Sequence, residues 1–396
     1  MIQKVSFRNF KAYRSLDVEL EPSTVLVGPN ASGKTTLLEG LYHFSAVAYA
    51  MLAGARAFLP IYNPQLQSFG VKAPIELSVS GEWGGVGGSA VATGSAELFQ
   101  PPDASPPYFP FLLRGEWNGK PFWAGDWGRN FQPELPTRLN GELDAASFQK
   151  IRAALSATTV LRFEAQSLAE ASYSEEAIPQ VKADGSGLAS VLAYLKLSQD
   201  ETFDEIELAL KQVVPTVRRI RIERAVVEHT AVRTIALDER QHQIPETRTL
   251  WGQRIVLDMR GAKGVAADAA GEGTLMVLGL LTVLMGPQKP RLVLLDDIEM
   301  RLHPAAQAKL IEVLRKLQQR DPELQIIATS HSPFILNYLD PKEVRMTFLA
   351  ENGFARCEKL TAHPEFERWK DLMSPGEFWS TVGEDWLEKL TEQATP

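Results

Sequence analysis

Residues 28–36 read GPNASGKTT, a match to the pattern G-x-x-x-x-G-K-[ST]. Glycines at 28 and 33 allow backbone N–H groups to curl around phosphate oxygens, with Pro29, Asn30, Ala31 and Ser32 forming the loop between them. Lys34 is placed to reach the β- and γ-phosphates of a nucleotide, and the Thr35 hydroxyl to sit on Mg²⁺. A helix starting near Lys34 and running through Thr36 points its positive dipole end at the same phosphates. The spacing predicts a site for ATP or GTP.

Three further stretches carry matching chemistry. Residues 291–304, RLVLLDDIEMRLHP, are an apolar strand ending in acids. Asp296 stands where a nucleotide-bound Mg²⁺ needs a carboxylate, Asp297 is placed to polarise an attacking water, and Glu299 lies nearby. A second apolar strand, Gln325 to Ala328, runs into Thr329-Ser330-His331-Ser332-Pro333, which puts His331 within reach of a γ-phosphate or its water. Gly271-Glu272-Gly273-Thr274 precedes the almost wholly apolar run Leu275 to Leu284, so a small-residue turn exposes helix N–H groups suited to an anion.

The elements that must position these residues follow from pattern. Thr24 to Val27 and Leu292 to Leu295 carry no charge and read as strands buried in a parallel sheet. The runs Ile2 to Phe7 and Leu16 to Leu20 read as a hairpin leading to the first of them, and Ile75 to Glu82 and Ser89 to Leu98 as two more strands of an antiparallel lobe. Residues 51–70 are loosely helical. The stretch 99–142 holds eight prolines and three tryptophans with weak periodicity, and reads as a long loop or insertion outside the common core. From Asp144 to Val214 the pattern is helical, with a strand-like break at Thr158 to Phe163 and three-and-four spacing over Leu188–Leu197 and Phe203–Val214. Strands return at Val217 to Val226 and Arg254 to Met259, then at Val344 to Leu349 and Phe354 to Leu360, before a helix over Pro375 to Leu390.

Composition narrows the class. The chain has 396 residues, 44% hydrophobic and 23% charged, enough for one large domain or two coupled lobes. No apolar run approaches the roughly 18 residues needed to cross a bilayer, and the N-terminus lacks a signal-peptide centre, so no membrane partner and a cytoplasmic location are expected. The single cysteine, Cys357, excludes an internal disulfide and a cysteine zinc cage, and reads as a half-buried strand residue. The net charge of −8 confines any contact with DNA or RNA to a local patch. The densest basic stretch, Arg218, Arg219, Arg221 and Arg224, reads first as the solvated face of a strand, which needs no ligand.

The order NFKAY, GPNASGKTT, GEGT before an apolar helix, LVLLDDIEMRLHP and TSHSP resembles the ABC-type ATPases of the SMC and RecF branch. Within that branch it is most similar to the compact relatives that include the ATPase part of OLD nucleases. The resemblance spans residues 1–75 and about 180–340, and DGSGLASVLAYL at 184–195 shares it. It implies an α/β P-loop fold, an ABC-type two-lobed head with a mixed or parallel core sheet, an antiparallel N-terminal lobe and a helical insertion. On that scheme residues 1–98 form the N-terminal lobe with the P-loop, 99–142 an irregular insertion, 143–260 a helical subdomain with return strands, 261–360 the C-terminal lobe and 361–396 a helical tail.

The resemblance also implies that two copies of the chain enclose two ATP molecules. Lys34, Thr35 and Asp296 then serve the nucleotide of their own subunit, while Gly271, Glu272, Gly273 and Thr274 approach the nucleotide of the other. The family's glutamine ligand to Mg²⁺ would fall at Gln65 or Gln67, and Phe10, Lys11 and Tyr13 lie on the adenine side. Two departures stand out: Asp297 replaces the usual Glu, and Gly271 replaces a Ser. Both favour slow, switch-like turnover.

OLD nucleases carry a nuclease domain after the ATPase, but only 63 residues follow Pro333, and long SMC-type coiled coils are absent as well. Glu377, Glu384 and Asp385 near the end read as the solvated face of a helix. The expectation is therefore an ATP-binding and ATP-hydrolysing subunit that forms a homodimer or higher oligomer. It would control a separately encoded effector, a nuclease or toxin, in a defence system against phage. A RecF-like repair ATPase that clamps DNA is the alternative, and a transporter subunit a more distant third.

Overall fold

The computed structural model describes residues 1–52, 66–71, 73–94, 111–124, 139–141, 144–237, 240–299 and 301–382. These fall into two compact units, one made of Met1–Val160, Arg291–Glu299 and Gln318–Pro396, the other of Leu161–Pro290 and Met300–Leu317. Each unit is discontinuous in sequence, and the second draws on both of the expected segments 143–260 and 261–360.

The first unit begins with the hairpin β1 (Ile2–Phe10) and β2 (Tyr13–Glu19), then β3 (Ser23–Val27) and helix α1 (Lys34–Leu52). β4 (Ile75–Trp83) and β5 (Val86–Gly94) pair beside β1, and β6 (Phe111–Trp117), β7 (Lys120–Ala124) and β8 (Leu139–Gly141) extend the same sheet. The result is a seven-stranded antiparallel sheet in the order β2-β1-β4-β5-β6-β7-β8. α2 (Ala145–Ser156) is capped by Asp144, whose carboxylate accepts the Ser147 N–H, and leads into β9 (Thr158–Leu161).

The second unit holds α3 (Ala165–Ala169), α4 (Leu188–Ser198) and α5 (Asp200–Val213). The three-stranded sheet β10 (Val217–Leu237), β11 (Arg240–Met259) and β12 (Ala262–Ala266) follows. α6 (Glu272–Met285) is apolar on every side because α3, α4 and α5 all pack on it.

The chain then returns through β13 (Leu292–Leu295), α7 (Pro304–Arg320), β14 (Gln325–Ser330) and the one-turn helix α8 (Pro333–Leu336). β15 (Val344–Leu349), β16 (Ala355–Lys359), α9 (Phe366–Trp369) and α10 (Pro375–Val382) close the described chain.

The core sheet of the first unit has the order β16-β15-β3-β14-β13-β9. β15, β3, β14 and β13 run parallel, with Leu295 opposite Ala328, Ala328 opposite Val25, and Val27 opposite both Ser330 and Met346. Every residue of β13 and β14 is buried, as a sheet covered on both faces requires. α1 lies between this sheet and the antiparallel one, and Phe7, Leu26, Leu37, Leu41, Phe44 and Ile327 share one core. Each such side chain contributes about 1.5–3 kcal/mol of burial. The expected α/β class, with a mixed core sheet and an antiparallel lobe, is what the chain adopts.

Three expectations need correction. The stretch 99–142 is not outside the core where it is described: Leu113, Trp117 and Phe122 are buried, and Trp117 stacks on Trp83 with ring centroids 5.6 Å apart. The overlooked signal is Asn118-Gly119. Both residues have positive φ, 52° and 74°, as a two-residue hairpin turn demands, and the proline count masked it. Residues 217–226 and 254–259 are only the base of a ribbon whose strands have 21 and 20 residues. The strand expected over Ser89–Leu98 starts earlier, at Val86, and is described as far as Gly94; residues 95–98 lie outside the described residues.

The helical expectation over 51–70 holds to Leu52, beyond which 53–65 lie outside the described residues, as do Glu384 and Asp385. No helix among the described residues is long and apolar enough to cross a membrane. Cys357 is buried on β16, and burial pushes its thiol up to about 12, so it is unreactive at neutral pH.

Trp117→Ala is expected to lower the unfolding free energy by about 3–5 kcal/mol, the cost of emptying a buried aromatic site. Denaturant unfolding measures it. A loss under about 0.5 kcal/mol, the surface range, would mean that β6 and β7 are dispensable to the fold.

Candidate functional site

The C-terminal ends of β3, β13 and β14 bring together most of the residues that the sequence singles out in the first unit. After β3, Pro29, Asn30 and Ala31 form an exposed loop tip, while Ser32, Gly33 and Lys34 are buried and Thr35 and Thr36 half-buried. Gly28 has φ 149°, and a Cβ there would lie 2.1 Å from the Thr347 carbonyl oxygen. Gly33 has φ 100°, and its Cβ would meet the Ala355 Cβ at 2.8 Å and the Tyr13 hydroxyl at 2.9 Å. Only glycine satisfies both the backbone angle and the space at these two positions.

The loop is braced from below. The Ser32 and Thr347 hydroxyls are 2.5 Å apart, Thr347 Oγ1 donates to the Val27 carbonyl at 3.1 Å, and the Tyr13 hydroxyl donates to the Gly33 carbonyl at 3.2 Å. Lys34 Nζ donates to the Gly28 and Pro29 carbonyls at 2.8 and 2.7 Å, which holds the ammonium at the centre of the loop. Leu37 N–H donates to Gly33 O at 3.0 Å, so the helical ladder starts there, and the amides before it point out of the first turn of α1.

Tyr13 and Phe10 are buried, and burial pushes the Tyr13 phenol well above its ordinary value. Tyr13 supports the loop through Gly33, while Phe10 packs edge-on against Phe7 and His43. Lys11, in the turn between β1 and β2 with φ 46°, pairs its ammonium with Glu39 of α1.

Asp296 follows β13. Its Oδ1 lies 3.5 Å from Thr35 Oγ1 and accepts a 2.7 Å hydrogen bond from Thr329 Oγ1. Two hard oxygens at that spacing fit adjacent ligands of Mg²⁺, an ion that takes one or two protein oxygens and completes its shell with phosphates and waters. Among the described residues, no three His, Cys, Asp or Glu side chains form a cluster that could hold a metal ion. Gln65 lies outside the described residues. Gln67 pairs with Phe10 along the backbone and donates Nε2 to the Ala73 carbonyl at 2.7 Å.

Asp297 has φ 57°, a left-handed conformation in which Asp is enriched. Its N–H donates to Thr329 Oγ1 at 2.8 Å, and its carboxylate lies 3.8 Å from His331 Nε2. Burial first, then the neighbouring Glu299 and Asp296 charges, hold its carboxyl above the ordinary range. This is the direction a general base needs.

Thr329 is the residue that pattern reading passed over. One hydroxyl accepts from Asp297 N–H and donates to Asp296, joining the two acids to the strand that carries His331.

In the second unit Gly271 caps α6, with Thr274 N–H donating to its carbonyl at 2.9 Å. Glu272 is ion-paired with Arg301, and Thr274 is buried. Within the basic stretch at the base of β10, Arg221 and Arg224 are met locally. Arg221 pairs with Glu223 and Asp258 at 2.9 and 3.4 Å, Arg254 pairs with Glu223 at 2.9 Å, and Arg224 lies 4.9 Å from the Trp251 ring centre.

Residues 1–72 match the family described as "AAA ATPase domain", and residues 145–337 the family described as "AAA domain, putative AbiEii toxin, Type IV TA system". The first match contains the P-loop and the second contains Asp296, Asp297 and His331. Both matched families are AAA-type ATPase domains. It is 49% identical over 65 residues to a DNA replication and repair protein RecF of Roseiflexus castenholzii. It is 41% identical over 56 residues to one of Chloroflexus aggregans.

These alignments span 16% of both chains in the first case and 14% of both in the second. Among solved structures, an SMC head bound to the C-terminal winged-helix domain of ScpA aligns over 92% of this chain and 99% of its own, with TM-score 0.48 and 13% identity. The SMC head domain from Thermotoga maritima aligns over 90% and 98%, with TM-score 0.44 and 11% identity.

Thr329→Val keeps the shape and removes the hydroxyl shared by Asp296 and Asp297. It is expected to cost about 1–3 kcal/mol of stability and to weaken Mg²⁺-dependent nucleotide binding roughly tenfold or more. Chemical denaturation and titration of a fluorescent nucleotide with and without Mg²⁺ measure the two effects.

Proposed function

We propose that this chain binds and hydrolyses ATP, that ATP closes it against a second copy, and that the closed state controls a separately encoded effector. The observation carrying the ATPase reading is the convergence of Lys34, Thr35, Asp296, Asp297, Thr329 and His331 at one sheet edge. Gly28 to Thr36 cradle the triphosphate with backbone N–H groups, Lys34 offsets its charge, and Lys11 lies on the nucleoside side. Mg²⁺ would be held by Thr35 and Asp296, with Gln65 as a further candidate, and when bound supplies charge neutralisation at the β- and γ-oxygens.

Asp297 orients and deprotonates the attacking water, and His331 donates to the oxygen where charge develops. Gly271, Glu272, Gly273 and Thr274 of the second copy complete the site. Gly271 has room for a side chain, since an added Cβ would find Thr274 Oγ1 no nearer than 3.8 Å, so its lack of a hydroxyl is not forced by packing. That choice, with Asp297 in place of Glu, supports slow turnover.

Lys34→Ala is expected to weaken ATP binding about 10–100-fold, the worth of charge-assisted hydrogen bonds to phosphate. Asp297→Ala is expected to bind ATP as the parent does, to lose about 10²–10⁴-fold in kcat, and to accumulate as a dimer with ATP in light scattering. Hydrolysis by Asp297→Ala at the parental rate would show that another group activates the water.

The effector reading draws on the toxin–antitoxin description attached to residues 145–337, and the setting proposed is defence against phage. The RecF likeness over 65 residues favours a second reading, a DNA clamp in repair. The local pairing of Arg221 and Arg254 weighs against a basic stripe. Affinity purification from the native host with ATP or ADP, run beside DNA binding across a salt series, separates them. A co-purifying protein released on nucleotide exchange supports the effector reading. ATP-dependent DNA binding that weakens steeply with salt replaces it with the clamp.

A further inference from the structure

We propose that Glu299 is a positioning residue for His331, fixing the backbone of the loop after β14 to the loop after β13. The inference deepens the ATPase reading and rests on it for its functional consequence. His331 and Asp297 expose 43% and 61% of their side chains and stand 3.8 Å apart, too far to hold each other by a direct hydrogen bond. Their placement is set by other contacts, among them a 3.4 Å hydrogen bond that the Asp297 carboxylate accepts from Thr329 Oγ1.

Three further cross-links start from backbone N–H groups. Asp297 N–H donates to Thr329 Oγ1 at 2.8 Å, Ile298 N–H to the Thr329 carbonyl at 2.9 Å, and His331 N–H to Glu299 Oε1 at 2.8 Å. The first two lock Asp297 onto β14. Only the third reaches past the strand end to the histidine itself, and Ser332 is turned back separately, its N–H donating to Ser330 Oγ at 3.0 Å. Pro333 has no N–H to add.

Glu299 is an expensive way to build a structural brace. Its Oε2 is buried with no hydrogen-bond partner among the described residues. A buried acceptor left unmatched costs about 1–3 kcal/mol, and more when charged. A side chain kept against that cost is explained by what it does for the site, because the fold alone would be served better by a neutral acceptor.

The test compares Glu299→Ala and Glu299→Gln in the full chain, with His331→Ala as the partner mutation. Hydrogen exchange of the His331 amide is followed by mass spectrometry of peptides covering 329–336. Nucleotide binding, kcat and Tm are measured in parallel. Glu299→Ala is expected to speed that exchange about 10–100-fold, the loss of one hydrogen bond to a charged acceptor. It is also expected to lower kcat about 10–100-fold, as loss of an outer-shell partner does, with ATP affinity and Tm close to the parent. Glu299→Gln retains an oxygen at Oε1 and should restore both slow exchange and most of kcat.

In the His331→Ala background, Glu299→Ala should cost little more. Unchanged exchange in Glu299→Ala overturns the proposal, and so does a kcat loss of the same size with and without His331. If the parent hydrolyses no nucleotide, the ATPase reading fails, and the exchange comparison alone then decides whether Glu299 holds the loop.

Discussion

The parallel register of β3, β13, β14 and β15 is the constraint on which the rest of the first unit depends. With Leu295 level with Ala328, and Val27 level with both Ser330 and Met346, the chain leaves three strands at the same edge. The P-loop, the two acids and the histidine loop then meet without any of them reaching far. A slip of one residue would turn every side chain of a strand to the other face. Such a slip of β14 would remove Thr329 from Asp296, and one of β15 would remove Thr347 from Ser32. The same register explains why Gly28 tolerates nothing larger: β15 runs close enough beside β3 to press its Thr347 carbonyl against the loop.

Burial holds that register. The wholly buried strands β13 and β14 exclude water on both faces, so their backbone groups must pair within the sheet. α1 supplies one cover, and the antiparallel sheet closes over α1 in turn. The residues after 333 belong to this arrangement too. β15 pairs with β3 and β16 with β15, so the strands expected at Val344–Leu349 and near Phe354–Leu360 complete the core sheet beside the P-loop.

What could be read from the sequence divides along a physical line. GPNASGKTT, DDIE and TSHSP are legible because backbone and phosphate chemistry fix their local spacing, and α4 and α5 because a buried helical face repeats every three to four residues. The links between these pieces are not local. Thr329 to Asp296 spans 33 positions, His331 to Glu299 spans 32, and Ser32 to Thr347 spans 315. No periodicity encodes such a partner. The ribbon β10–β11 escaped for another reason: alternation marks a strand with one buried face, and Val226, where the expected strand stopped, is already 55% exposed. In residues 111–124 the signal was present in Asn118-Gly119, but composition outweighed it.

Asp297 shows how conformation and chemistry bind each other here. Its left-handed backbone turns the N–H toward Thr329 and the carboxylate toward His331. Asp tolerates that region because its short side chain can bond locally, whereas a longer acid gains no such relief. The residue that fits the turn is thus the one with less reach, and its carboxylate stops 3.8 Å short of the imidazole. In the proposed cycle a base with less reach waits on the closure of a second subunit to bring its water into line. Hydrolysis would then report assembly, which is the property a switch requires and a motor does not.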